Sequence, residues 1–113
     1  MALVSKRYYT DSGSGWEEVW PGIKRKILGY DDRLMLVKVR FMQGTEAPAH
    51  DHPHSQCSYI ESGTFEVKIG NDVKILGPGD GFNVPSGITH SVTAMEAGII
   101  IDAFSPHRED FLK

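Results

Sequence analysis

The chain is built largely from short stretches in which apolar and polar residues alternate, separated by turns rich in glycine, proline, asparagine and aspartate. This period of two is typical of β-strands with one buried face. No stretch has a convincing period near 3.6 residues, so we expect little helix, confined to the tail after Ser105. The predicted strands cover residues 24–28, 34–41, 56–61, 64–69, 73–76, 81–84, 90–94 and 99–104.

Turn signals separate these strands at regular intervals. Residues 70–72, Gly-Asn-Asp, predict a tight hairpin, and residues 77–80, Gly-Pro-Gly-Asp, predict a second turn. The glycine- and serine-rich stretch 11–15 predicts a loop, preceded by a short N-terminal arm whose packing is left open. Many short strands joined by such turns favour an all-β sandwich or small barrel.

Length and composition restrict the class of protein. At 113 residues, with a formal net charge of −3, the chain suits one globular domain and has no basic run of the kind that binds nucleic acid. Cys57 is the single cysteine, which excludes an intrachain disulfide and suits a reducing compartment. Residues 1–10 lack the apolar segment of a signal peptide, and no apolar run is long enough to span a bilayer. We therefore expect a cytoplasmic protein without nucleic-acid or membrane partners.

Two glycine-bracketed segments carry the candidate chemistry. The first, residues 44–63, reads G-x5-H-x-H-x3-Q-x6-G, and the second, residues 79–90, reads G-x5-P-x-G-x2-H. Their donor side chains are His50, His52, Gln56 and His90. Because alternate residues of an extended chain share a face, the first two histidines point the same way, and Pro53 can supply the kink that returns the glutamine to that side. The third histidine opens a strand after the turn at 85–87.

Imidazoles and an amide oxygen in this pattern predict a site for one divalent transition-metal ion. Nickel, zinc, manganese and iron all accept such nitrogen and oxygen ligands, so the pattern does not select among them. An amide at position 56 could instead bind a water beside the ion. For the three histidines the competing interpretation is a surface or hydrogen-bonding role. His54 and His107 lack the matching spacing, and for them that competing interpretation is favoured.

The two segments resemble the two signature motifs of the cupin superfamily, position for position, with two departures. The usual glutamate ligand is replaced by Gln56, and the asparagine that usually ends the second motif is replaced by Ala94. The resemblance covers roughly residues 33–104. It implies an all-β, single-domain fold, the double-stranded β-helix or jelly-roll barrel. The corresponding segments are the domain 1–113, its arm and loop 1–15, and the motifs 44–63 and 79–94.

The apolar strand 98–104 contains one acidic residue, Asp102. By alternation it shares a face with Ile100 and Phe104, so a carboxylate lies near the ion in a partly dry pocket if that face lines the barrel. Such an aspartate has a raised pKa and can move protons. The alternative is an aspartate bonded to the backbone or paired with Arg108. That arginine suits either a substrate carboxylate at the pocket mouth or a solvated position in the tail.

A closer resemblance, to the KdgF-type pectin-degradation cupins, extends over nearly the whole chain after Gly15 and includes the unusual glutamine. The stretches that carry it are residues 16–19, 21–29, 34–38, 52–56 and 102–111. It implies conversion of cyclic 4,5-unsaturated monouronates, released by pectate or alginate lyases, to their linear ketone form. The metal ligands it implies are His50, His52, Gln56 and His90. The reaction-site residues it implies are Asp102, Phe104 and Arg108.

The resemblance also implies a small-molecule substrate and a homodimer paired through an outer sheet. Cys57 and Tyr59, on the strand face opposite the glutamine, are interpreted as core or dimer contacts. Lys38 and Arg40 share a strand face, which is interpreted as solvated rather than as part of the pocket. Two other functions stay open: a cupin dioxygenase or lyase acting on another small acid, and a non-catalytic cupin that binds a sugar acid.

Overall fold

The computed structural model describes residues 3–113, and β-strands account for most of them. The strands are β1 Glu17–Trp20, β2 Ile23–Tyr30, β3 Met35–Phe41, β4 Glu46–His50, β5 Ser55–Ile69, β6 Asp72–Leu76, β7 Gly81–Val84 and β8 His90–Ser105. A short 3₁₀ helix, Glu109–Leu112, follows β8.

Two long strands, β5 and β8, join the two sheets of the barrel. The second half of β8 lies between β3 and the first half of β5, and β7 extends that sheet beyond β5. The first half of β8 lies between β4 and the second half of β5, and β6 extends the other sheet. All of these pairs are antiparallel. The fold is therefore a jelly-roll barrel in which both sheets share the same two long strands.

The long strands bend where Gly63 of β5 meets Gly98 of β8. Their pairing shifts register repeatedly between Ile60 and Phe65, as expected for β-bulges. Gly63 has a φ of +85°, and a Cβ atom there would lie 2.7 Å from the carbonyl oxygen of Ala97. Glycine at both positions therefore lets the two backbones approach closely enough to turn from one sheet into the other.

The core fills the space between the two sheets. Phe65 and Ile60 are completely buried, and the ring of Phe41 meets that of Phe65 edge to face, with centroids 5.2 Å apart. The other buried members of this cluster are Ile23, Val67, Val92, Ala94 and Ile100. A smaller cluster beside the motif histidines consists of Met35, Val37 and Phe104.

The N-terminal arm lies against β2. The Ser5 amide donates a hydrogen bond of 2.9 Å to the carbonyl of Tyr30 at the end of β2, and Lys26 in the middle of β2 donates from Nζ to the carbonyl of Thr10 at 3.0 Å. Residues 11–15 form the predicted loop without strand structure. Residues 1 and 2 of the predicted arm lie outside the described residues.

Each predicted strand coincides with all or part of an observed strand, although β2 continues two residues beyond its predicted end, and the tail helix is confirmed. The strand list was wrong in two respects. It omitted β1 and β4, and it divided each of the long strands β5 and β8 into two. The hairpin at 70–72 is confirmed, since Ile69 pairs with Asp72 across the turn. Within residues 3–113 no helix is long and apolar enough to cross a membrane.

The close approach at Gly98 predicts a strong and local effect of adding a methyl group. A Cβ at Gly98 would overlap the carbonyl oxygen of Ser62, whereas a Cβ at Gly77 would meet open space, and neither glycine has a positive φ. We expect Gly98→Ala to lower the free energy of unfolding by about 3 kcal/mol, because backbone atoms must shift. Gly77→Ala should change it by less than about 1 kcal/mol. Chemical denaturation of both variants checks this, and equal effects would contradict it.

Candidate metal centre

Three histidines from separate segments meet inside one end of the barrel. His50 ends β4, His52 lies in the loop after it, and His90 begins β8 directly opposite His50 in the ladder. Their candidate ligand atoms all lie within 4.8 Å of one another. His52 and His90 are buried, whereas His50 is exposed to solvent. The trio is therefore positioned to bind one metal ion.

The backbone orients all three imidazoles in the same way. In each ring Nδ1 lies close to a carbonyl oxygen two residues away, at 3.0 Å for His50 with Pro48 and 2.9 Å for His90 with Ile88. The corresponding distance from His52 to the carbonyl of residue 54 is 3.0 Å. A carbonyl can only accept, so each Nδ1 carries the proton and donates it. Each Nε2 is then left with a lone pair for a metal ion.

Gln56 directs an amide oxygen at the same point. Its Nε2 donates to the hydroxyl of Ser58 at 3.0 Å and lies 3.4 Å from the Asp102 carboxylate. Its Oε1 therefore faces the opposite way and lies 2.9 Å from Nε2 of His52. Two donors bound at about 2.1 Å from one ion and at right angles lie about 3 Å apart, so this spacing fits two ligands of the same ion.

The ligand atoms of this centre, Nε2 of His52 and Oε1 of Gln56, are stable at this spacing when a positive charge lies between them. With the His52 proton held on Nδ1, its Nε2 and the Gln56 Oε1 are both acceptors, and they repel each other unless a cation or a proton lies between them. Burial lowers the pKa of His52, and it lowers the pKa of His90 as well, which disfavours a proton in that role. The residues at this site therefore fit a divalent metal ion.

Asp102 lies beside this centre because of the register of β5 and β8. Ser58 is the cross-strand partner of Asp102, and its hydroxyl donates a hydrogen bond of 2.5 Å to the carboxylate. Burial raises the pKa of Asp102 to about 6, although the hydrogen bonds from Ser58 and Gln56 and the charge of Arg108 oppose that shift. The carboxyl group can therefore both take up and release a proton near neutral pH.

Arg108 packs against the aromatic wall of the same pocket. Its guanidinium carbon lies 4.9 Å from the centre of the Phe104 ring and 4.3 Å from that of Phe111. Its Nε and Nη2 donate to the carboxylate of Asp110 at 3.1 and 2.9 Å, which leaves Nη1 for a ligand. The side chain is only 11% exposed, so the alternative of a solvated tail arginine is wrong. The alternative that Arg108 pairs with Asp102 is also wrong, because its ion pair is with Asp110.

A cavity of about 280 Å³ extends from the metal centre to Asp102 and Arg108. Its wall is mostly apolar and includes Phe104 from β8, which lies next to His52 with ring centroids 5.8 Å apart. The polar side chains that reach it are His50, Gln56, His90, Ser91, Asp102, Arg108 and Arg25. The site therefore combines convergent acceptors, a protonatable carboxyl group and a guanidinium in one small apolar pocket.

Several contributors to the site were not found from the sequence. Ser58 follows Gln56 by two residues on the same strand face, and this alternation is the signal that could have identified it. Trp20 and Arg25, from β1 and β2, also line the cavity. Their strands come from a part of the chain without any motif, so only the fold brings them there.

Three other titratable residues lie away from the centre. Lys38 pairs with Glu61 at 3.9 Å, and Arg40 stacks on Trp16 with its guanidinium carbon 4.2 Å from the ring, so both sit outside the cavity as predicted. His107 binds the carbonyl of residue 32. His54, in contrast, lies beside the centre: its ring centroid is 5.5 Å from that of His52, and its Nδ1 is buried without a hydrogen-bond partner.

Cys57 and Tyr59 lie on the outer face of β5. Both are exposed, and Tyr59 has half of its surface accessible. The interpretation of these two side chains as core residues was therefore wrong. Their role as dimer contacts stays a prediction.

The shared long strands and the inward-facing histidine trio define the class of protein. The family model described as Cupin domain matches residues 37–108, well over half of the chain. The chain belongs to the cupin family. Within that family, it is 42% identical over 109 residues to the pectin degradation protein KdgF of Dickeya dadantii strain 3937, covering 95% of this chain and 99% of that protein.

Solved structures show the same relationship. An RmlC-like cupin from Shewanella frigidimarina NCIMB 400 superimposes with a TM-score of 0.93 at 39% identity, covering 96% of this chain and 98% of that one. KdgF from a Halomonas species superimposes with a TM-score of 0.89 at 36% identity, covering 95% and 99% of the two chains. The resemblance to the KdgF-type cupins is therefore confirmed over nearly the whole length of the chain.

The geometry predicts that metal content depends on the histidine trio. We expect the purified protein to hold about one equivalent of a divalent transition metal and His90→Ala to weaken metal affinity by at least about tenfold. Removing the ion with a chelator should lower the thermal midpoint, because a ligand that binds only the folded state stabilises it. Elemental analysis and thermal unfolding measure both effects. His107→Ala is the control, and a loss of metal from that variant would contradict the assignment.

Proposed function

We propose that this protein acts in pectin degradation by converting cyclic 4,5-unsaturated monouronates to their linear ketonised form, in a metal-dependent isomerisation. The observation that carries the proposal is the hydrogen-bonded chain from Gln56 to Ser58 and Asp102, which sets a protonatable carboxyl group next to the histidine trio. The KdgF proteins that resemble the chain, one of which is a pectin degradation protein, support the choice of substrate.

The reaction requires one proton to be removed and one to be delivered. The substrate ring contains an enol ether next to a carboxylate, together with a hemiacetal hydroxyl. Loss of the hydroxyl proton forms the aldehyde carbonyl as the bond between that carbon and the ring oxygen breaks, and the ring oxygen leaves as an enolate. Protonation of the enolate carbon then gives the ketone. No oxidant or reductant is consumed, so a single carboxyl group can serve as base and then as acid.

Each residue of the pocket has a distinct part in this scheme. Asp102 takes the hydroxyl proton and returns a proton to the enolate carbon, while Ser58 holds its carboxyl group in place. Nη1 of Arg108 binds the substrate carboxylate, and Phe104 provides an apolar wall that excludes water. The proposed metal ligands are His50, His52, Gln56 and His90. A divalent ion bound there supplies Lewis-acid polarisation of substrate oxygens.

The neutral glutamine ligand suits a redox-neutral reaction. Replacing the usual carboxylate by an amide removes one negative charge from the ligand set, which favours a strongly electrophilic divalent ion over a trivalent one. The same amide provides a donor to Asp102 through its Nε2, which a carboxylate at position 56 would lack. An isomerisation is therefore better matched to this centre than an oxygenation.

The proposal predicts a specific loss of activity in Asp102→Asn. The wild-type protein should accelerate the disappearance of the conjugated double-bond absorbance of lyase-generated unsaturated monouronate, without consuming oxygen. Asp102→Asn should reduce this rate by at least about 100-fold, because the amide cannot exchange the proton, while the metal content stays the same. Ultraviolet spectroscopy, an oxygen electrode and elemental analysis provide the three measurements.

Asp72→Asn is a matched control for the same change of side chain. Asp72 is exposed at the start of β6 and lies outside the cavity, so its substitution should leave the rate unchanged. If metal-loaded wild-type protein does not accelerate the loss of the double-bond absorbance over buffer, the proposed function is refuted.

Arg108 predicts a separate effect on substrate binding. We expect Arg108→Gln to raise KM for the unsaturated uronate by about tenfold or more, because a charge-assisted hydrogen bond to the carboxylate is lost. Arg40→Gln is the control, since Arg40 also stacks on an aromatic ring but lies outside the cavity. Steady-state kinetics with both variants decide the point, and an unchanged KM in Arg108→Gln would refute the assigned role.

A further inference from the structure

A second cavity lies between the N-terminal arm, β2 and the C-terminal 3₁₀ helix. Its volume is about 370 Å³, which falls within the range of roughly 300–1,000 Å³ that is common for small-molecule sites. It shares Arg25 and Phe111 with the cavity of the metal centre, so the two cavities are separated by this pair of side chains. Neither the motifs nor the proposed reaction uses it.

A buried lysine ammonium lines this second cavity. Lys26 is only 5% exposed, and Gly15 of the arm loop covers its aliphatic stem. Its Nζ donates one hydrogen bond, of 3.0 Å, to the neutral carbonyl of Thr10. No carboxylate of the described residues lies within 4.0 Å of it, and the ammonium has two further donors. A buried charge of this kind is costly unless an opposite charge accompanies it.

The other charges around the cavity do not supply that partner. Glu17 is the one carboxylate among the residues that line it, and Arg25 binds this carboxylate through Nε and Nη2, each at 2.9 Å. Lys6 also lines the cavity, where its ammonium lies over the ring of Tyr9 at 4.5 Å, and it too has no carboxylate within 4.0 Å among the described residues. Two ammonium groups are thus left for an anion.

The rest of the lining consists largely of hydroxyl and backbone groups. Ser12 and Ser14 bond to each other at 2.8 Å, and the side chains of Tyr9, Thr10 and Tyr30 complete this polar wall. Hydroxyl groups can donate to and accept from the hydroxyls of a sugar, whereas a compact inorganic anion would leave most of them unused. The chemistry of the wall therefore matches a ligand that carries both a carboxylate and several hydroxyl groups.

We propose that this second cavity is a binding site for a small hydroxylated carboxylate of the sugar-acid class, with Lys26 and Lys6 binding its carboxylate. The site is distinct from the metal centre and needs no chemistry there. Because Arg25 and Phe111 line both cavities, a ligand in the second cavity would lie beside one wall of the first.

Titration of the full-length, isotopically labelled protein with D-galacturonate tests the proposal by nuclear magnetic resonance. The saturated sugar acid lacks the double bond of the proposed substrate, so the measurement contains no turnover and its outcome is separate from that of the proposed function. We expect saturable shifts of the amide signals of Gly13 and Gly15. Galactose, which lacks the charge, and acetate and phosphate, which lack the sugar hydroxyls, should bind at least about tenfold more weakly.

Two lysine substitutions on the same strand locate the site. Lys26→Met keeps the stem that packs on Gly15 but removes the ammonium. It should lower the affinity for D-galacturonate, measured from the arm signals, by about tenfold or more. Lys24→Met is the matched control, because Lys24 is exposed on β2 and lies outside this cavity. Lys6→Met provides a second variant at an exposed position, and it should weaken binding without disturbing the buried lysine.

Three results would overturn the proposal. The first is an absence of saturable shifts at Gly13 and Gly15 in the wild-type protein, which would leave Lys26 as a tether for the arm and nothing more. The second is unchanged affinity in both Lys26→Met and Lys6→Met. The third is equal affinity for acetate or phosphate, which would reduce the cavity to a general anion site without a role for its hydroxyl groups.

Discussion

The antiparallel pairing of β5 with β8 extends from Ser55 opposite Ser105 to Ile69 opposite His90, with bulges at its middle, and both the barrel and its site depend on it. Side chains alternate between the two faces of each strand, so the register of the first half of β5 sends Ile60 and Ile100 into the core and sets Ser58 opposite Asp102 above the cavity. A slip by one residue would turn the acidic group and its partner outward together with the core. The stability of the barrel and the geometry of the site are thus consequences of the same hydrogen-bond ladder.

The chemistry of the centre follows from the orientation of the Gln56 amide. Its Nε2 donates to Ser58 and Asp102, and its Oε1 therefore points toward His52 and the metal position. The backbone carbonyls take Nδ1 of every histidine in the trio, which forces each Nε2 to the same point. Four acceptor atoms that face one another repel each other, and a bound cation removes this repulsion. The second cavity has the opposite imbalance, since no carboxylate within residues 3–113 lies within 4.0 Å of the Lys6 or Lys26 ammonium group.

Much of the fold was predictable from the period of two, and the errors have identifiable physical causes. β1 is exposed along its whole length and β4 along most of its length, so neither shows the apolar alternation on which strand prediction rests. The divisions in β5 and β8 fell at Gly63 and Gly98, where glycine usually marks a turn. Here the two glycines allow the strands to cross and bend while the ladder continues. The ligand candidates were predictable from the spacing of their motif residues, and Ser58 could have been found by alternation from Gln56, whereas Trp20 and Arg25 carry no such signal.

The sequence by itself determined the strand-rich class, the two glycine-bracketed motifs and the choice of donor atoms, because these depend on local alternation, on turn residues and on residue chemistry. Only the tertiary structure decided which of those donors meet, since the pairing of β4 with β8 brings together histidines that are forty residues apart at His50 and His90. It also decided the state of Asp102, because burial between β3 and β5 and not any neighbour in sequence raises its pKa to about 6. The side chain of Arg108 acquired its place in the same way: a tail residue became part of a pocket wall because Phe104 and Phe111 bind its guanidinium on the barrel surface.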